Sequence, residues 1–239
     1  MTDQAVAAKI GPSGQFTTIN SGVLTRPFLA LPALSCPAES DSDRPGAEVP
    51  VSGRVGARIV VTQISRLAKR KGHEFLLQAA AQLRNEPILF RFVGDGALRA
   101  EIEADIARRG LRNVELVGLV PPVVIPGLLG TTDILVHCSL REGLARAIPQ
   151  AMLAARPVIS FDVDGAREVV TPETGVLVPP GNVRALVAAI RDLAADPARR
   201  AALGNAGRAM TTRRFDHDHM IDQIELLYQQ LMVEGSGHD

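Results

Sequence analysis

The sequence predicts an α/β fold, a doubly wound parallel sheet of about six strands. From residue 58 onward, short apolar runs alternate with amphipathic segments. Strands that alternate with helices imply right-handed crossovers and helices on both faces of a parallel sheet. A chain of 239 residues with 46% hydrophobic residues is also long and apolar enough to bury a core.

Each predicted strand is a short, mostly apolar run. Such runs are typical of strands that are buried on both faces, because an alternating pattern would leave one face in water. The predicted strands are 59–64, 88–93, 114–117, 134–138, 157–161 and 175–178.

The predicted helices follow these strands. The first has one apolar face, made by Phe75, Leu76, Ala79, Ala80 and Leu83. Gly110 ends the second as a C-terminal breaker. After Pro180, three helical segments follow without an intervening strand. The predicted helices are 72–84, 97–109, 124–129, 147–155, 166–169, 183–195, 198–211 and 217–233.

The two ends of the chain differ from this repeat. Residues 33–56 are rich in Pro, Ser, Asp and Gly and lack apolar periodicity, which is typical of a long loop or linker. Residues 234–239 form a polar tail. The sequence therefore predicts one α/β domain over residues 58–233, preceded by a separate segment, 1–57.

Composition gives little support to several function classes. Lys plus Arg equals Asp plus Glu at 26 each, and aromatic residues make up only 3%, so nucleic-acid binding is not favoured. The two cysteines and five histidines show no metal-ligand or catalytic-triad spacing. No apolar stretch is long enough for a membrane span and no signal peptide is evident, which predicts a cytoplasmic location.

A basic loop follows the first predicted strand. It carries Arg66, Lys69, Arg70 and Lys71 and ends at Gly72, where the first helix begins. Cations beside the free N–H groups of a helix N-terminus can bind phosphate. A solvated basic loop explains the same residues.

An acid and a glycine, Glu142 and Gly143, follow the fourth strand of the repeat. Ligands of open parallel sheets bind beyond the carboxyl ends of strands. The Glu142 carboxylate can accept hydrogen bonds from hydroxyls, and the amides of Gly143 and Leu144, at the start of the coming helix, can face a diphosphate. Gln150, about two turns into that helix, could line the same groove. Alternatively, Glu142 only stabilises the coming helix, because a negative charge near a helix N-terminus interacts favourably with the helix dipole.

Two further strand ends carry polar residues. Gly94, Asp95 and Gly96 indicate a sharp turn, either a plain one or one that approaches a ligand, but they do not form a dinucleotide fingerprint. Asp162, Asp164, Gly165 and Glu168 are explained by ordinary loop solvation.

Taken in order, these motifs resemble the donor-binding half of group 1 (family 4) retaining glycosyltransferases. The match runs from about residue 59 to 231, and residues 18–23 with Phe28 and Leu29 look like the family's crossover between its two domains. The residues that carry it are Arg66-Leu67, Lys71-Gly72, Val93-Gly94-Asp95-Gly96, Val117-Gly118, Asp133, Glu142-Gly143, Ala151-Met152, Pro157-Val158, Glu168-Val169-Val170, Gly175-Val176-Leu177-Val178 and Arg214-Phe215.

The resemblance implies a GT-B enzyme, in which two Rossmann-like domains face each other across a cleft and the C-terminal one binds the nucleotide sugar. Arg66 and Lys71 would neutralise the donor diphosphate as it leaves. Glu142 would lie by the transferred sugar, and the amides of Gly143 and Leu144 by the phosphates. Gln150 stands where the family has a second glutamate that binds the ribose, so nucleotide affinity is expected to be lower or its mode altered.

The implied function is retaining transfer of a hexose from a nucleotide-diphosphate sugar to a hydroxyl of a sugar, lipid or other acceptor, without a metal. Residues 1–57 would be the remnant of the N-terminal acceptor domain with the linker, so the chain is expected to be incomplete without a separate acceptor domain. The resemblance leaves open a peripheral position at the inner membrane for a full-length form. The alternatives are a non-catalytic nucleotide-sugar-binding module, a subunit of a split enzyme, and a sugar-nucleotide epimerase of similar build.

Overall fold

A six-stranded sheet in the order β3-β2-β1-β4-β5-β6 forms the centre of the computed structural model, which describes residues 17, 19–33 and 58–235. Every neighbouring pair of strands is parallel, so the predicted doubly wound α/β fold is confirmed. The strands are β1 (Ile59–Ile64), β2 (Ile88–Val93), β3 (Val114–Gly118), β4 (Ile134–His137), β5 (Val158–Phe161) and β6 (Gly175–Val178).

Helices connect the strands and extend the chain beyond β6. They are α1 (Arg26–Leu29), α2 (His73–Gln82), α3 (Arg99–Arg109), α4 (Ile125–Gly130), α5 (Ala147–Leu153), α6 (Val183–Ala195), α7 (Pro197–Arg214) and α8 (His217–Gly235). There are also two 3₁₀ turns among the described residues: Pro122–Val124 precedes α4, and Asp164–Glu168 follows β5. The structure ends α5 two residues earlier than predicted, because Ala155 turns the chain back toward β5 with a φ of +53°.

The direction in which successive strands are added to the sheet reverses between β1 and β4. From β1 the chain builds outward through β2 to β3, then returns across β1 and builds the other way through β4 to β6. Six residues of β1 pair with β2, whereas only Val61 and Thr62 pair with β4. The loops that leave β1 and β4 therefore part at this switch point, which is where open α/β sheets bind ligands.

The core lies on both faces of this sheet. All residues of β4 and β5 are buried, as their continuous apolar sequence predicts. Phe90 and Phe161 are among the largest fully buried side chains, and α6 covers one face with Leu186, Ile190 and their neighbours. The strand ends that carry the candidate site are thus fixed by a large apolar core.

Residues 19–33 pack against the C-terminal helices. Val23 forms an isolated parallel bridge with Asp216, and its N–H donates to the carbonyl oxygen of Phe215 at 2.8 Å. The Thr25 hydroxyl donates to Oδ2 of Asp216 at 2.6 Å. The segment predicted to be a crossover therefore has a defined seat beside α7 and α8.

Two arginines hold the far end of the same segment. Nη2 of Arg208 donates to the carbonyl oxygen of Leu31 at 2.9 Å, and Nη2 of Arg156 donates to that of Pro32 at 3.0 Å. Arg156 is fully buried although it is charged. These contacts tie residues 31 and 32 to α7 and to the turn after α5.

Parts of the predicted domain division fall outside the described residues. These are residues 1–16, 18 and 34–57 of the predicted N-terminal segment and linker, and residues 236–239 of the polar tail, while residues 234 and 235 belong to α8. Among the helices within residues 19–33 and 58–235, none combines the length and the apolar character that a membrane crossing requires.

Candidate functional site

The basic loop after β1 lies directly on the end of β4. Gly72 has a φ of +70°, and a Cβ atom built on it would fall 2.0 Å from the carbonyl oxygen of Cys138. The N–H of Leu140 donates to the carbonyl oxygen of Arg70 at 2.8 Å. A side chain at position 72 would therefore both strain the backbone and separate the two loops.

A buried amide holds this loop from below. Nε2 of Gln63, on β1, donates to the carbonyl oxygen of Lys71 at 2.8 Å. The Ser65 hydroxyl lies 3.1 Å from Nε2 of His73. These contacts fix the backbone of Lys71, so that its side chain leaves the loop from a defined point.

Lys71 and Glu142, which the sequence analysis assigned to separate roles, form an ion pair between Nζ and Oε2. Both side chains are about one quarter exposed, at 27% and 24%. Burial raises the pKa of the Glu142 carboxyl, but the hydrogen bond and charge of Lys71 outweigh it and hold that pKa below its ordinary value. Glu142 is thus an ionised carboxylate at neutral pH, and Lys71 is its partner.

Two buried histidines lie beneath this pair. Burial, with a contribution from the charge of Lys71, lowers the pKa of His73 to about 4. Burial also lowers the pKa of His137 to about 4, with opposing contributions from Glu142 and Lys71. Within the part of the chain that the structure describes, neither ring nitrogen of His137 has a hydrogen-bond partner. Both imidazoles are neutral at pH 7, so the net charge of the site comes from its loops.

A cavity of about 1080 Å³ opens beside Glu142, over the ends of β4 and β5. It brings together three of the predicted site residues, Glu142, Gly143 and Leu144. The other lining residues come from the loop after β4, the loop and turn after β5, α5, residues 19–23 and Phe215. The predicted groove at the carboxyl ends of the strands is therefore a real and open cavity.

The start of α5 agrees with the predicted range, but the positions of Gly143, Leu144 and Gln150 relative to that start do not agree with their expected roles. The helix begins at Ala147, so the amides of Gly143 and Leu144 belong to the loop and not to a helix N-terminus. Gln150 consequently lies in the first turn, where its N–H donates to the carbonyl oxygen of Arg146, and not two turns into the helix. It is half-buried and is not among the described residues that line the cavity. The loop between β4 and α5 therefore spans residues 138–146.

Arg66 lies apart from the ion pair. Its side chain is exposed and lines a second cavity of about 530 Å³ at the ends of β1 and β2. Most of the surface of this cavity is apolar, contributed by Ile64, Val93, Leu119, Val120 and Ile125. Arg66 therefore borders a cavity separate from the one lined by Glu142, the ion-pair partner of Lys71.

The turn at 94–96 explains how these loops fit together. Gly94 has a φ of +132°, and a Cβ there would lie 2.1 Å from the carbonyl oxygen of Ser65. The close approach that the glycines permit is thus to the basic loop itself. The turn supports the loop and lines the apolar cavity.

The sequence analysis missed several lining residues of the larger cavity. Asn20 and Ser21 reach it from the N-terminal segment, Arg146 from the loop before α5, and Asp164 and Arg167 from the turn after β5. The acidic cluster after β5 was the available signal, since parallel strand ends share one edge of the sheet. No local signal marked residues 20 and 21, because their position depends on contacts with residues 215 and 216 at the other end of the chain.

Comparison with known proteins identifies the family. Residues 47–210 match the family model of glycosyl transferases group 1, which is more than half of the chain. The chain belongs to the group 1 glycosyl transferases. This confirms the resemblance at the level of the group.

Two similar proteins come from Streptomyces kanamyceticus. The chain is 27% identical over 197 residues to an alpha-D-kanosaminyltransferase, covering 81% of this chain and 51% of the relative. It is 32% identical over 177 residues to a 2-deoxystreptamine glucosyltransferase, covering 72% of this chain and 46% of the relative. The chain thus spans about half the length of these relatives.

A solved structure shares the fold at similar identity. Anabaena Alr3699/HepE, crystallised in complex with UDP and glucose, superposes with a TM-score of 0.68 and 29% sequence identity. The alignment covers 72% of this chain and 48% of the Anabaena chain. The chain therefore also spans about half the length of this solved structure.

No cluster of three or more His, Cys, Asp or Glu side chains suited to a metal ion is found among residues 19–33 and 58–235. The charged groups at the strand ends are instead paired cations and carboxylates, such as Lys71 with Glu142.

Proposed function

We propose that this domain binds a nucleoside-diphosphate sugar and forms the donor half of a retaining, family 4 hexosyltransferase. The observation that carries the proposal is the Lys71–Glu142 pair, which joins the loops after β1 and β4 at the switch point beside a 1080 Å³ cavity. Membership of the group 1 family and the UDP bound to a solved relative support the same chemistry.

In this proposal the diphosphate lies over the basic loop. Lys71 and Arg66 would contact it from this loop, and the backbone amides of Gly143 and Leu144 would contact it from the loop after β4, beside the larger cavity. Cations held in fixed positions stabilise the negative charge that develops on the leaving diphosphate. The neutralising charge is assigned to these side chains, without a metal.

The two cavities divide the rest of the donor between them. The apolar cavity beside Arg66 suits a flat nucleobase, because its walls are mainly aliphatic. The larger cavity, with Glu142 and several other charged side chains, suits the hydroxyls of a sugar. Gln150 remains the proposed ribose contact, and it would have to approach the ligand from the first turn of α5.

The acceptor is proposed to be a hydroxyl group brought by a second domain. Named relatives include a 2-deoxystreptamine glucosyltransferase and a GDP-mannose-dependent mannosyltransferase that acts on a phosphatidylinositol monomannoside, so acceptors in the family range from small cyclitols to lipids. We propose residues 58–233 as the donor domain and 1–57 as the remnant of an acceptor domain with its linker, in a cytoplasmic protein.

A non-catalytic binding module, or a subunit completed by a separate acceptor protein, is the second candidate. It is favoured by the neutral Gln150 in place of an acid and by the half-length match to the relatives. Both candidate functions require binding of the nucleotide-sugar donor, so this binding is the property to measure first.

Calorimetric titration of the purified chain with UDP, GDP and ADP and their hexose conjugates tests the proposal. We expect binding of at least one pair in the micromolar to millimolar range, and loss of that binding in Lys71→Ala and Arg66→Ala. Lys69→Ala is the matched control, since Lys69 lies on the same loop but lines a groove on the α2–α3 side. Failure of every nucleotide to bind at millimolar concentration would overturn the proposal.

A separate substitution tests the ribose contact. Gln150→Glu should tighten nucleotide binding if residue 150 faces the ribose, because a carboxylate makes a charge-assisted hydrogen bond with a diol. An unchanged affinity would remove Gln150 from the site without affecting the assignment of Lys71.

A further inference from the structure

We propose that Asp164 is a second sugar-recognising carboxylate of this site, which accepts hydrogen bonds from hydroxyls of the transferred sugar alongside Glu142. The inference rests on the proposed function and deepens it. Asp164 lines the 1080 Å³ cavity at the start of the 3₁₀ turn after β5.

The backbone of Asp164 is in an unusual conformation. Its φ is +22°, one of three positive values at non-glycine positions among the described residues. Such a conformation lowers the stability of the fold, and it persists only where the surrounding structure imposes it. The side chain is exposed, so apolar packing does not explain why an aspartate stands here.

The neighbouring residue fixes Asp164 against the loop of Glu142. A Cβ atom on Gly165 would fall 2.0 Å from the carbonyl oxygen of Gly143, so the two backbones touch. Gly165 and Ala166 are buried, and the N–H of Ala166 donates to the carbonyl oxygen of Val163 at 2.9 Å. Asp164 therefore stands on a rigid turn, one residue from a backbone contact with the residue that follows Glu142.

The other acids of the cavity are already engaged. Glu142 pairs with Lys71, Asp162 with Arg167, and Glu168 with Arg214 at 3.6 Å. Among the residues that the structure describes, Asp164 takes part in no recorded ion pair or hydrogen bond, although Arg167 lies within range of its charge. Its carboxylate oxygens are thus available as acceptors.

An ionised carboxylate can only accept hydrogen bonds, and sugar hydroxyls are ready donors. A free diphosphate, by contrast, carries negative charge and gains nothing from an additional carboxylate. Asp164 should therefore contribute to the affinity for a nucleotide sugar but not to that for the nucleotide alone, which separates a sugar contact from a phosphate contact.

The test compares Asp164→Gly and Asp164→Asn with the unmodified chain. Glycine accepts the positive φ without strain, so this variant keeps the turn and removes only the carboxylate. Asparagine also tolerates the conformation and keeps the shape of the side chain. Glu168→Gln is the matched control, because Glu168 lines the same cavity but is already paired with Arg214.

The measurement is calorimetric affinity for UDP and for UDP-glucose, with GDP and GDP-mannose as the second pair. For the pair that the unmodified chain binds, Asp164→Gly should lower the affinity for the nucleotide sugar by about tenfold or more. The affinity for the nucleotide alone should change by less than about twofold. Asp164→Asn should lie between the two, and Glu168→Gln should change the ratio less than Asp164→Gly does.

Two results would overturn the inference, and they differ in whether the proposed function also fails. If the unmodified chain binds nucleotide and nucleotide sugar but Asp164→Gly weakens both equally or neither, Asp164 is not a sugar contact and the proposed function stands. If the unmodified chain binds none of the four ligands, the proposed function fails and the role of Asp164 fails with it.

Discussion

Lys71 and Glu142 lie 71 positions apart in the sequence, and their ammonium and carboxylate groups form an ion pair across the switch point of the sheet. The pair connects the loop after β1 with the loop after β4. An anionic ligand at this point must compete with Glu142 for the charge of Lys71. A ligand phosphate that pairs with Lys71 would therefore have to replace Glu142, which already lines the cavity.

Glu142→Gln should strengthen the binding of a free nucleoside diphosphate. Removing the carboxylate leaves Lys71 free for phosphate and removes a negative charge near the ligand, which we expect to raise UDP affinity by about three- to tenfold. Calorimetry in low and moderate salt measures the change, and the gain should shrink as salt increases. Glu74→Gln, an exposed acid on α2, is the control. An affinity equal to or below that of the unmodified chain would contradict the competition between Glu142 and phosphate.

Gly72→Ala should disrupt the basic loop far more than a comparable glycine substitution elsewhere. Gly72 and Gly110 have nearly the same φ, +70° and +61°, but a Cβ at Gly110 meets nothing within 4 Å whereas one at Gly72 meets Cys138. We expect Gly110→Ala to lower the free energy of unfolding by about 1 kcal/mol and Gly72→Ala by about 3 kcal/mol or more. Urea denaturation gives both values. Equal losses would mean that the loops separate without cost.

Stability should fall as the pH drops from about 6.5 to about 4. The folded-state pKa values of His73 and His137, both about 4, lie below the ordinary value of 6.5. In this range the unfolded chain binds more protons, so stability that is complete above pH 6.5 is lost as the pH falls. The contribution is on the order of 2–3 kcal/mol for each histidine.

His137→Leu isolates one of these contributions. The variant should show a shallower decline in the free energy of unfolding between pH 6.5 and 4, measured by urea denaturation at a series of pH values. Val136→Ala, next to it on β4, is the control, since it lowers stability at every pH and retains the histidine. A slope in His137→Leu identical to that of the control would mean that His137 is not buried as a neutral imidazole.

Loosening the contact between Thr25 and Asp216 should mobilise one wall of the large cavity. Thr25→Val removes only the hydroxyl that donates to Asp216, whereas Asp216→Ala also removes the acceptor for the N–H groups of Asp218 and His219 at the start of α8. Hydrogen–deuterium exchange of residues 19–33 should become faster in both variants, and that of the first turn of α8 only in Asp216→Ala. Unchanged exchange in Thr25→Val would mean that the Val23 and Arg208 contacts hold the segment alone.

The strands could be predicted closely because their sequences are short, mostly apolar runs, and β4 and β5, whose every residue is buried, show the pattern most clearly. The candidate acid Glu142 could be found in the same way, from its position after a strand. The start of α5 at Ala147 could also be predicted, whereas the path of the loop between Glu142 and Ala147 could not.

Contacts between distant parts of the chain escaped the sequence for the same reason. The pairing of Lys71 with Glu142 and the separation of Arg66 from both depend on side-chain directions at two loops. The position of Asn20 and Ser21 depends on a bridge to residue 216. Local propensity carries no information about such relationships, whereas the order of the strands carries some, since it brings the loops after β1 and β4 together.

The short seam between β1 and β4, registered only at Val61 with Ile134 and Thr62 with Leu135, has a consequence for engineering. The residues of the apolar cavity come from β1 to β3 and the connection onward to α4. Most residues that line the larger cavity come from β4 and the elements that follow it. A chimaera that joins the first half of this domain to the second half of a relative near residue 131 would keep both halves of the sheet intact. Such recombinants should exchange the preference for the base and the preference for the sugar as independent modules.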